Sequence, residues 1–598
     1  MPGSLPSLSC EHVVRALSAH GPPPCVQLLR LPAGARSFLA ATILRRLARP
    51  LLVLTADSAE AEETFRELSA YLGPGGALLF PSLETAPYEE MSPYAAAVHD
   101  RMRALHRLSA GRSAAGASPP AAVVCPVGAA MEKTMPRDVF DAAVHAIAPG
   151  DAIDVTAWSR RLVEIGYARL PATADPGDFS VRGGLVDVFS PAHPLPARLT
   201  LDGDRVESIR WFDPVTQRTR TEGESVVVLP CSQVVTREEY VRGASGIPGD
   251  RAESLRQGIR WHGVDAILPR LYGGVSSIFD YLPAEGIIAA VDSVSCLATA
   301  RNAFAEAEEN FELSGRDAGL PGPEELFLPP EGFVRAVAGA PLVAFDSIET
   351  APFGRKDAVR GEIDARGNED IRRSTVVSAS EGLLLPLVTE AKAWWKRGAR
   401  FVVTSLSPSQ ADRLEELLSR YPLPLSPGAT LKESIEGGQG VSICCSEVIR
   451  GFRLPELSVA VVTEAEIFGG KTRARRGRKE AAVPAEEFSL RELRVNDLAV
   501  HVDHGVGIYR GLLRRRAGGV EGDFLVLEYA GGDRLFVPVE KMARVQRYVA
   551  SEEAHPKLAR LGGTAWQRAK ERVRDSLLAM AQELIDLYAR REIATRPP

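Results

Sequence analysis

The amino-acid sequence predicts a multidomain α/β protein. Its 598 residues are too many for one hydrophobic core, and a chain of this length suggests about three to five domains. In two regions short apolar runs alternate with amphipathic stretches, as in parallel sheets covered by helices. Other regions carry short apolar runs broken by Gly, Pro and Asp, which is typical of antiparallel β modules.

The composition is that of a soluble globular protein, with 45% hydrophobic and 25% charged residues. The net charge of -6 argues against a general attraction to phosphate backbones, so a nucleic-acid contact would need a local basic patch. The seven cysteines lack C-x-x-C spacing, which suits a reducing cytosol and indicates no metal site. No signal peptide or bilayer-spanning run is visible, so we expect a cytoplasmic protein with no membrane partner.

The first α/β region begins the chain. Apolar runs at 51–55, 77–80 and 121–125 predict strands of a parallel sheet, and residues 58–72 predict an amphipathic helix with a serine cap. The small-residue stretch 110–120 predicts a loop.

A β-rich module interrupts this region. The predicted strands lie at 179–182, 185–189, 198–201 and 225–229, separated by turn residues. Helix and strand alternation then resumes, which suggests that the β module is inserted into the first unit.

A second α/β region follows. Its predicted helices and strands are 385–397, 400–404, 409–421, 441–444 and 457–462. The basic run KTRARRGRK that comes next indicates a solvated linker rather than a nucleic-acid patch.

A compact β module lies beyond the linker. The segment DLAVHVDHGVGIYRG, at 497–511, places strand residues around a Gly505/Gly507 turn. The stretch 524–538 predicts a hairpin, and together these strands predict a small SH3/Tudor-like barrel. His501 and His504 have H-x-x-H spacing, but on a strand this spacing points the side chains to opposite faces, so turn residues are favoured over a metal site.

The β module resembles the RNA-polymerase-interacting domain shared by transcription-repair coupling factors and CarD regulators. The His-Gly-x-Gly turn, the Leu-x-Tyr strand and the Leu-Phe-Val-Pro-Val strand carry the resemblance. It implies docking on the β subunit of RNA polymerase through an exposed edge strand. The candidate contacts are Tyr509, Leu512, Leu513, Arg514 and Arg515. The alternative is that the two leucines belong to the core and the arginines face solvent.

The first α/β region contains a strand-to-helix turn where a P-loop would lie, but this turn lacks the P-loop residues. A working P-loop needs glycines that bring backbone N–H groups to the phosphates, a lysine, and a Ser or Thr for magnesium. The corresponding turn reads Ala33, Gly34, Ala35, Arg36 and Ser37. The matching acidic site is also eroded, because the strand 287–292 ends in Asp292 and is followed by Ser293 instead of glutamate. We therefore expect no catalytic residues and no bound ATP or Mg²⁺ in this chain.

This region resembles the excision-repair protein UvrB in degenerate form, as it occurs at the front of transcription-repair coupling factors. The matching segments are FPSLETAPY at 80–88, GDFSVRGG at 177–184, FDPVTQR at 212–218 and FDYLP at 279–283. Unlike UvrB, the chain has no room after residue 92 for a long DNA-clamping hairpin.

The resemblance implies that the inserted β module binds UvrA. The candidate contacts are Arg182, Phe179, Arg169 and Arg218. The alternative is that Arg182 pairs with Asp178 or Asp187 and that Phe179 fills the core of the module.

Seven segments make up the predicted chain. They are a UvrB-like α/β domain (1–150), an inserted UvrA-binding module (151–235), the remainder of the UvrB-like unit (236–335), a small α/β domain without an assigned role (340–465), a linker (466–490), the polymerase-interacting domain (491–552) and a long helix (560–598).

The resemblance implies a scaffold that binds stalled RNA polymerase and recruits UvrA in transcription-coupled nucleotide-excision repair. In complete family members the last helix leads into an ATP-driven DNA translocase, so ATP, Mg²⁺ and most double-stranded DNA contacts are expected there, and the chain reads as truncated before that motor. The alternatives are an ATP-dependent helicase or translocase, and a CarD-like transcription regulator.

Overall fold

The structure is a computed structural model. It describes residues 6–19, 21–83, 85, 88, 93–109, 121–244, 247, 249–261, 263–316, 318–371, 384–427, 430–468, 496–501, 504–517, 520–538, 545–547 and 558–560. The predicted long helix, apart from its first residue, and nearly all of the predicted linker lie outside these residues. None of the described helices is long and apolar enough to span a membrane.

Helices and strands alternate at the start of the chain. The elements up to residue 150 are α1 (Cys10–Leu17), β1 (Cys25–Leu29), α2 (Ala33–Leu47), β2 (Leu51–Thr55), α3 (Ser58–Leu72), β3 (Ala77–Leu79), α4 (Ala95–Ser109), β4 (Ala122–Pro126), α5 (Val127–Met131), α6 (Arg137–Ala143) and β5 (His145–Ile147). The N-cap of α3 is Asp57 rather than the predicted serine, because the Asp57 carboxylate accepts the Glu60 amide at 2.8 Å.

Short strands dominate the next stretch. The elements are α7 (Val155–Glu164), β6 (Ala168–Arg169), β7 (Asp178–Arg182), β8 (Leu185–Val188), β9 (Ala197–Asp202), β10 (Arg205–Phe212), β11 (Thr219–Gly223) and β12 (Val226–Val228).

Helices return before the first unit is complete. The elements are α8 (Glu238–Gly243), α9 (Gly249–Arg256), α10 (Leu268–Tyr272), α11 (Ile278–Tyr281), β13 (Ile287–Val291), α12 (Ser293–Asn310), α13 (Pro323–Leu326), α14 (Pro330–Ala338), β14 (Leu342–Asp346) and β15 (Val359–Gly361).

The second α/β unit and the last β module complete the described chain. Their elements are α15 (Leu385–Lys396), β16 (Arg400–Ser405), α16 (Pro408–Leu418), β17 (Leu425–Pro427), α17 (Leu431–Glu436), β18 (Gly440–Cys445), β19 (Phe452–Leu454), β20 (Val459–Thr463), α18 (Glu464–Phe468), β21 (Leu498–His501), β22 (Gly505–Ala517), β23 (Val520–Glu528), β24 (Arg534–Pro538) and β25 (Val545–Arg547).

The first unit is built on a parallel seven-stranded sheet with the order β15-β1-β14-β13-β2-β4-β3. Its central strands are buried along their whole length, as expected for strands covered by helices on both faces. Strands β14 and β15 pair on either side of β1. The sheet thus extends past residue 335, the predicted end of the UvrB-like unit. Strand β14 lies beyond this residue and pairs with β1, more than 300 residues earlier in the chain.

The inserted β module is a separate six-stranded sheet with the order β11-β10-β9-β8-β7-β6. Consecutive strands pair antiparallel from β7 to β11, as expected for strands joined by short turns. Strands β10 and β11, which the sequence patterns missed, form one edge of this sheet.

The second α/β unit has a five-stranded sheet with the order β17-β18-β16-β20-β19, in which β19 runs antiparallel to its neighbour. One hydrophobic cluster joins this unit to the first, since it contains Phe38 and Leu68 together with Phe452 and Val461. The two α/β units therefore share a core.

The last β module is a five-stranded antiparallel sheet with the order β24-β23-β22-β21-β25. Within the described part of the module, β24 and β25 lie at opposite edges and do not pair. Among the described residues these strands thus form an open sheet, and closure into the predicted SH3/Tudor-like barrel is not seen there.

Candidate functional sites

The eroded P-loop is a short turn between β1 and α2. The chain leaves β1 at Leu29 and enters α2 at Ala33, with Pro32 in extended conformation as the N-cap. Ser37 is 4% exposed, and its hydroxyl donates a hydrogen bond of 2.6 Å to Glu67. Burial raises the pKa of Glu67 to about 7. Ser37 is thus committed to an internal contact and not presented to a metal ion.

The second α/β unit packs against this turn. A methyl group added to Gly34 would overlap the backbone carbonyl oxygens of Arg450 and Gly451. The Phe38 and Phe452 rings lie 4.9 Å apart between their centroids. A small cavity of about 40 Å³ remains, lined among others by Arg36, Glu60, Glu63, Glu67 and Arg450.

The acidic residues at the strand ends are all engaged within the protein. Asp292 has a left-handed backbone (φ 57°), and its carboxylate caps α12 by accepting the Ser295 amide at 3.1 Å. The amide and hydroxyl of Ser293 donate to Asp346, at 2.8 and 2.9 Å. Gln27 also donates to Asp346, at 2.6 Å.

Asp346 was not identified from the sequence. An acidic residue at the end of the apolar run 342–346 could have indicated a polar contact at the end of a buried strand. It is 2% exposed and lies beside β1 at the end of β14. Its contacts tie the end of β14 to the middle of β1 and to the start of α12, which is a structural role.

The inserted module carries a polar cluster around Asp187. This carboxylate is 1% exposed and accepts hydrogen bonds from Arg198 at 2.7 and 2.9 Å and from Arg182 at 2.8 Å. Arg182 is still 51% exposed, so its guanidinium is fixed at one end and reaches solvent at the other. The pairing that the sequence left open as an alternative is thus present, with Asp187 as the partner.

Arg198 was missed as a member of this cluster. Arg198 lies over the Phe212 ring, 4.5 Å from its centroid, and is 3.5 Å from the Gln217 side-chain oxygen. Gln217 holds the turn that presents the exposed Arg218. Arg198, Arg182 and Arg218 are therefore linked through one set of contacts.

The other two predicted residues of this surface have different environments. Arg169 is exposed on β6, at the register position opposite Phe179. Phe179 itself is 0% exposed and belongs to the main hydrophobic core. A fully buried ring packs inside the module and cannot contact a partner directly. Phe179 therefore has the core position that the sequence left open as the alternative.

The predicted polymerase-binding strand is β22. The first part of this strand has a neighbouring strand on each side, and its last part has one neighbour among the described residues. Residues 505–508 pair with β21, and residues 508–517 pair with β23. Among the described residues, 511–517 have a strand neighbour on one side only. A bulge between Tyr509 and Gly511 marks the change from central to edge strand.

The side chains along β22 divide between core and surface. Tyr509 is 5% exposed and packs in the core of the module, whereas Leu513 is 47% exposed. The side chains of Leu512, Arg514 and Arg515 lie outside the described residues, and their backbones pair with Leu525, Asp523 and Gly522. Leu513 is thus the predicted contact with a visible exposed apolar surface.

His501 and His504 come together, contrary to the sequence-based expectation. Their ring centroids are 4.6 Å apart, since His501 at the end of β21 pairs with Gly505, the residue after His504. Among the described residues, no three His, Cys, Asp or Glu side chains are grouped closely enough to hold a metal ion.

Two family models match the chain at these β modules. Residues 146–233 match the UvrB interaction domain, and residues 493–549 match the CarD-like/TRCF RID domain. The Myxococcus xanthus transcription-repair-coupling factor is 33% identical, with 94% of this chain and 48% of the relative aligned. The chain is homologous to transcription-repair-coupling factors.

A second relative gives the same result. The transcription-repair-coupling factor of Staphylococcus aureus strain MRSA252 is 28% identical, with 91% of this chain and 47% of the relative aligned. The chain thus spans about half the length of these curated transcription-repair-coupling factors. The matched UvrB interaction domain covers the sheet β6–β11, and the matched RID domain covers the sheet β21–β25.

Proposed function

We propose that this chain is a scaffold in transcription-coupled nucleotide-excision repair, which binds the β subunit of RNA polymerase with one β module and UvrA with another. The observation that carries the proposal is the presence, in one chain, of a UvrB interaction domain and a CarD-like/TRCF RID domain on separate sheets. A protein with both modules can hold a repair partner next to a transcription partner.

The UvrA surface of this proposal is the cluster around Asp187. Arginine is enriched at interface anchors because its planar guanidinium makes several directed hydrogen bonds. Asp187 holds the Arg182 and Arg198 guanidinium groups, so little side-chain freedom is lost when a partner binds. A cationic surface of this kind fits carboxylates on the partner.

The polymerase surface of this proposal is the open end of β22. An unpaired edge can accept a strand from a partner, with backbone hydrogen bonds giving affinity and neighbouring side chains giving specificity. Leu513 adds exposed apolar area to this edge, and the sequence adds Arg514 and Arg515 beside it.

The chain itself is proposed to bind partners without hydrolysing ATP. Residues 33–37 lack the P-loop lysine, and Asp292 and Ser293 are engaged in capping and strand-end contacts. For the longer relatives we propose an ATP-driven DNA translocase that uses other nucleotide-binding residues. A regulator of the CarD type would use the RID sheet alone, and the UvrB interaction domain favours the scaffold over that alternative.

Two charge-reversal variants test the proposal and serve as controls for each other. We expect Arg182→Glu to weaken UvrA binding at least tenfold and to leave polymerase β-subunit binding unchanged. The double variant Arg514→Glu/Arg515→Glu should have the opposite pattern. Affinities would be measured by biolayer interferometry with purified UvrA and purified β subunit.

Arg205→Glu is the matched control within the inserted module. Arg205 is exposed at the far end of β10, roughly 17 Å along the strand from Arg210, which pairs with Arg198. This variant should bind both partners normally. Unchanged UvrA affinity in Arg182→Glu, or equal losses in Arg182→Glu and Arg205→Glu, would remove the Asp187 cluster from the UvrA surface.

A further inference from the structure

The place where a P-loop protein holds phosphates is occupied here by another part of the same chain. Phosphates normally bind at the N-terminus of the helix that follows the first strand, next to glycine backbone. In this protein the backbone of Arg450 and Gly451 lies against Gly34, in the first turn of α2. A nucleotide does not fit beside this backbone, so the site does not suit the ligand that the fold implies.

We propose that residues 446–452 form a plug, which closes the former nucleotide site of the first α/β unit and fixes the second α/β unit to it. This inference goes beyond the proposed binding of UvrA and polymerase, and it gives a role to the domain between the two β modules. The plug connects β18 to β19 in the second unit.

The plug is held from behind by its own unit. The Gly451 amide donates to Glu466 at 3.0 Å, and Glu466 also accepts the Thr463 amide at 2.9 Å. Asn368, which is 1% exposed, donates to Glu466 and to the Val461 carbonyl, each at 2.9 Å. A methyl group on Gly451 would overlap the Val461 carbonyl, so the close fit requires glycine at this position.

The plug is held from the front by the first unit. Glu67, whose carboxyl group accepts the Ser37 hydroxyl, also faces the plug, since the charge of Arg450 and the backbone of Ile449 both lower its pKa. The Phe452 ring packs on Phe38, and both are buried. Residues that would serve nucleotide binding in a P-loop protein serve domain packing here.

Contacts outside the plug hold the same two units together. Arg45 on α2 pairs with Glu436 on α17 at 3.1 Å. Both carboxylate oxygens of Glu456 accept the Cys10 amide, each at 2.9 Å. The plug is therefore one part of a continuous interface, and the small cavity beside Arg36 is what remains of the nucleotide site.

Hydrogen exchange measured by mass spectrometry tests the plug in the full chain. Gly34→Ala should raise amide exchange in the peptide covering 446–452 at least tenfold, because the added methyl group displaces the plug backbone. Gly128→Ala is the matched control, since Gly128 also lies in a helix and a methyl group there meets no atom within 4 Å. Equal exchange at 446–452 in Gly34→Ala and wild type would overturn the proposal.

A second variant covers the case in which Gly34→Ala does not fold. Glu466→Ala removes the support behind Gly451 and should raise exchange in the peptide covering 33–38, whereas Glu447→Ala, an exposed change in the same loop, should not. Adding Mg²⁺-ATP to the wild-type chain should leave both peptides unchanged. Slower exchange at 33–38 with ATP, or no response of 33–38 to Glu466→Ala, would contradict the plug.

Discussion

Glu67 is a carboxylic acid buried beneath the first turn of α2, and its environment makes stability depend on pH. Burial raises its pKa from 4.5 to about 7, and the hydrogen bond from Ser37 and the charge of Arg450 offset this only in part. The folded protein thus holds a proton that the unfolded chain releases above pH 4.5. This contribution to stability is complete below the unfolded pKa and is lost as pH rises through about 7.

We therefore predict that Glu67→Gln removes part of this pH dependence. Between pH 5 and pH 8 the wild type should lose roughly 2–3 kcal/mol more stability than the variant, in line with 1.4 kcal/mol for each unit of pKa shift. Thermal unfolding at the two pH values checks this, with Glu63→Gln, at a more exposed carboxylate lining the same cavity, as the control. Parallel pH profiles for Glu67→Gln and wild type would show that Glu67 does not carry the effect.

Individual residues also show the limit of what a sequence can indicate about contacts. The pattern FSVRGG placed Phe179 and Arg182 on one strand, and the structure has them on β7. It could not indicate that the Phe179 ring is buried and that the Arg182 side chain reaches solvent. Orientation on a strand depends on which face the neighbouring layer covers, which local sequence does not specify.

At the scale of single elements, β22 is paired on both sides at its beginning and, among the described residues, on one side at its end. Residues 505–508 pair with β21, and pairing with β23 begins at residue 508. These first residues are therefore needed for the fold of the module. The bulge at Tyr509 to Gly511 separates them from residues 511–517, which among the described residues pair with β23 alone. We therefore expect folding and the proposed polymerase binding to depend on different halves of this strand.

We predict that Leu513→Asp lowers affinity for the polymerase β subunit at least tenfold without lowering the melting temperature. A charge placed at the centre of a strand-to-strand interface must be desolvated when the partner binds, whereas an exposed side chain contributes little to folding. Leu406→Asp is the matched control, because Leu406 is 50% exposed in the second α/β unit and Leu513 is 47% exposed. Equal β-subunit binding by the two variants would exclude Leu513 from the interface.

Elements with strong local patterns were predicted well from the sequence. The apolar runs at 51–55 and 400–404 and the amphipathic stretch at 58–72 correspond to β2, β16 and α3. Strand β10 was missed because its sequence RVESIRWF mixes charged and apolar residues. It becomes a strand through pairing with β9, where its buried positions face the core.

At the scale of the whole molecule, the arrangement of units depends on contacts between distant residues. Strand β14 completes the sheet of the first unit by pairing with β1, although the sequence suggested a new domain beginning near residue 340. Gly34 and Gly451 meet across more than 400 residues, and neither position alone indicates the other. Periodicity determines local structure, but it carries no information on which of several buried strands will be neighbours.

We propose that one chain carries two separate docking surfaces. The sheet β6–β11 and the sheet β21–β25 are distinct, so we expect occupation of one to leave the other available. The most direct measurement is size-exclusion chromatography with light scattering on a mixture of this chain, UvrA and RNA polymerase. We predict a single species whose mass includes all three, and its loss with Arg182→Glu as UvrA dissociates. Formation of the two binary complexes without any ternary species would contradict the account.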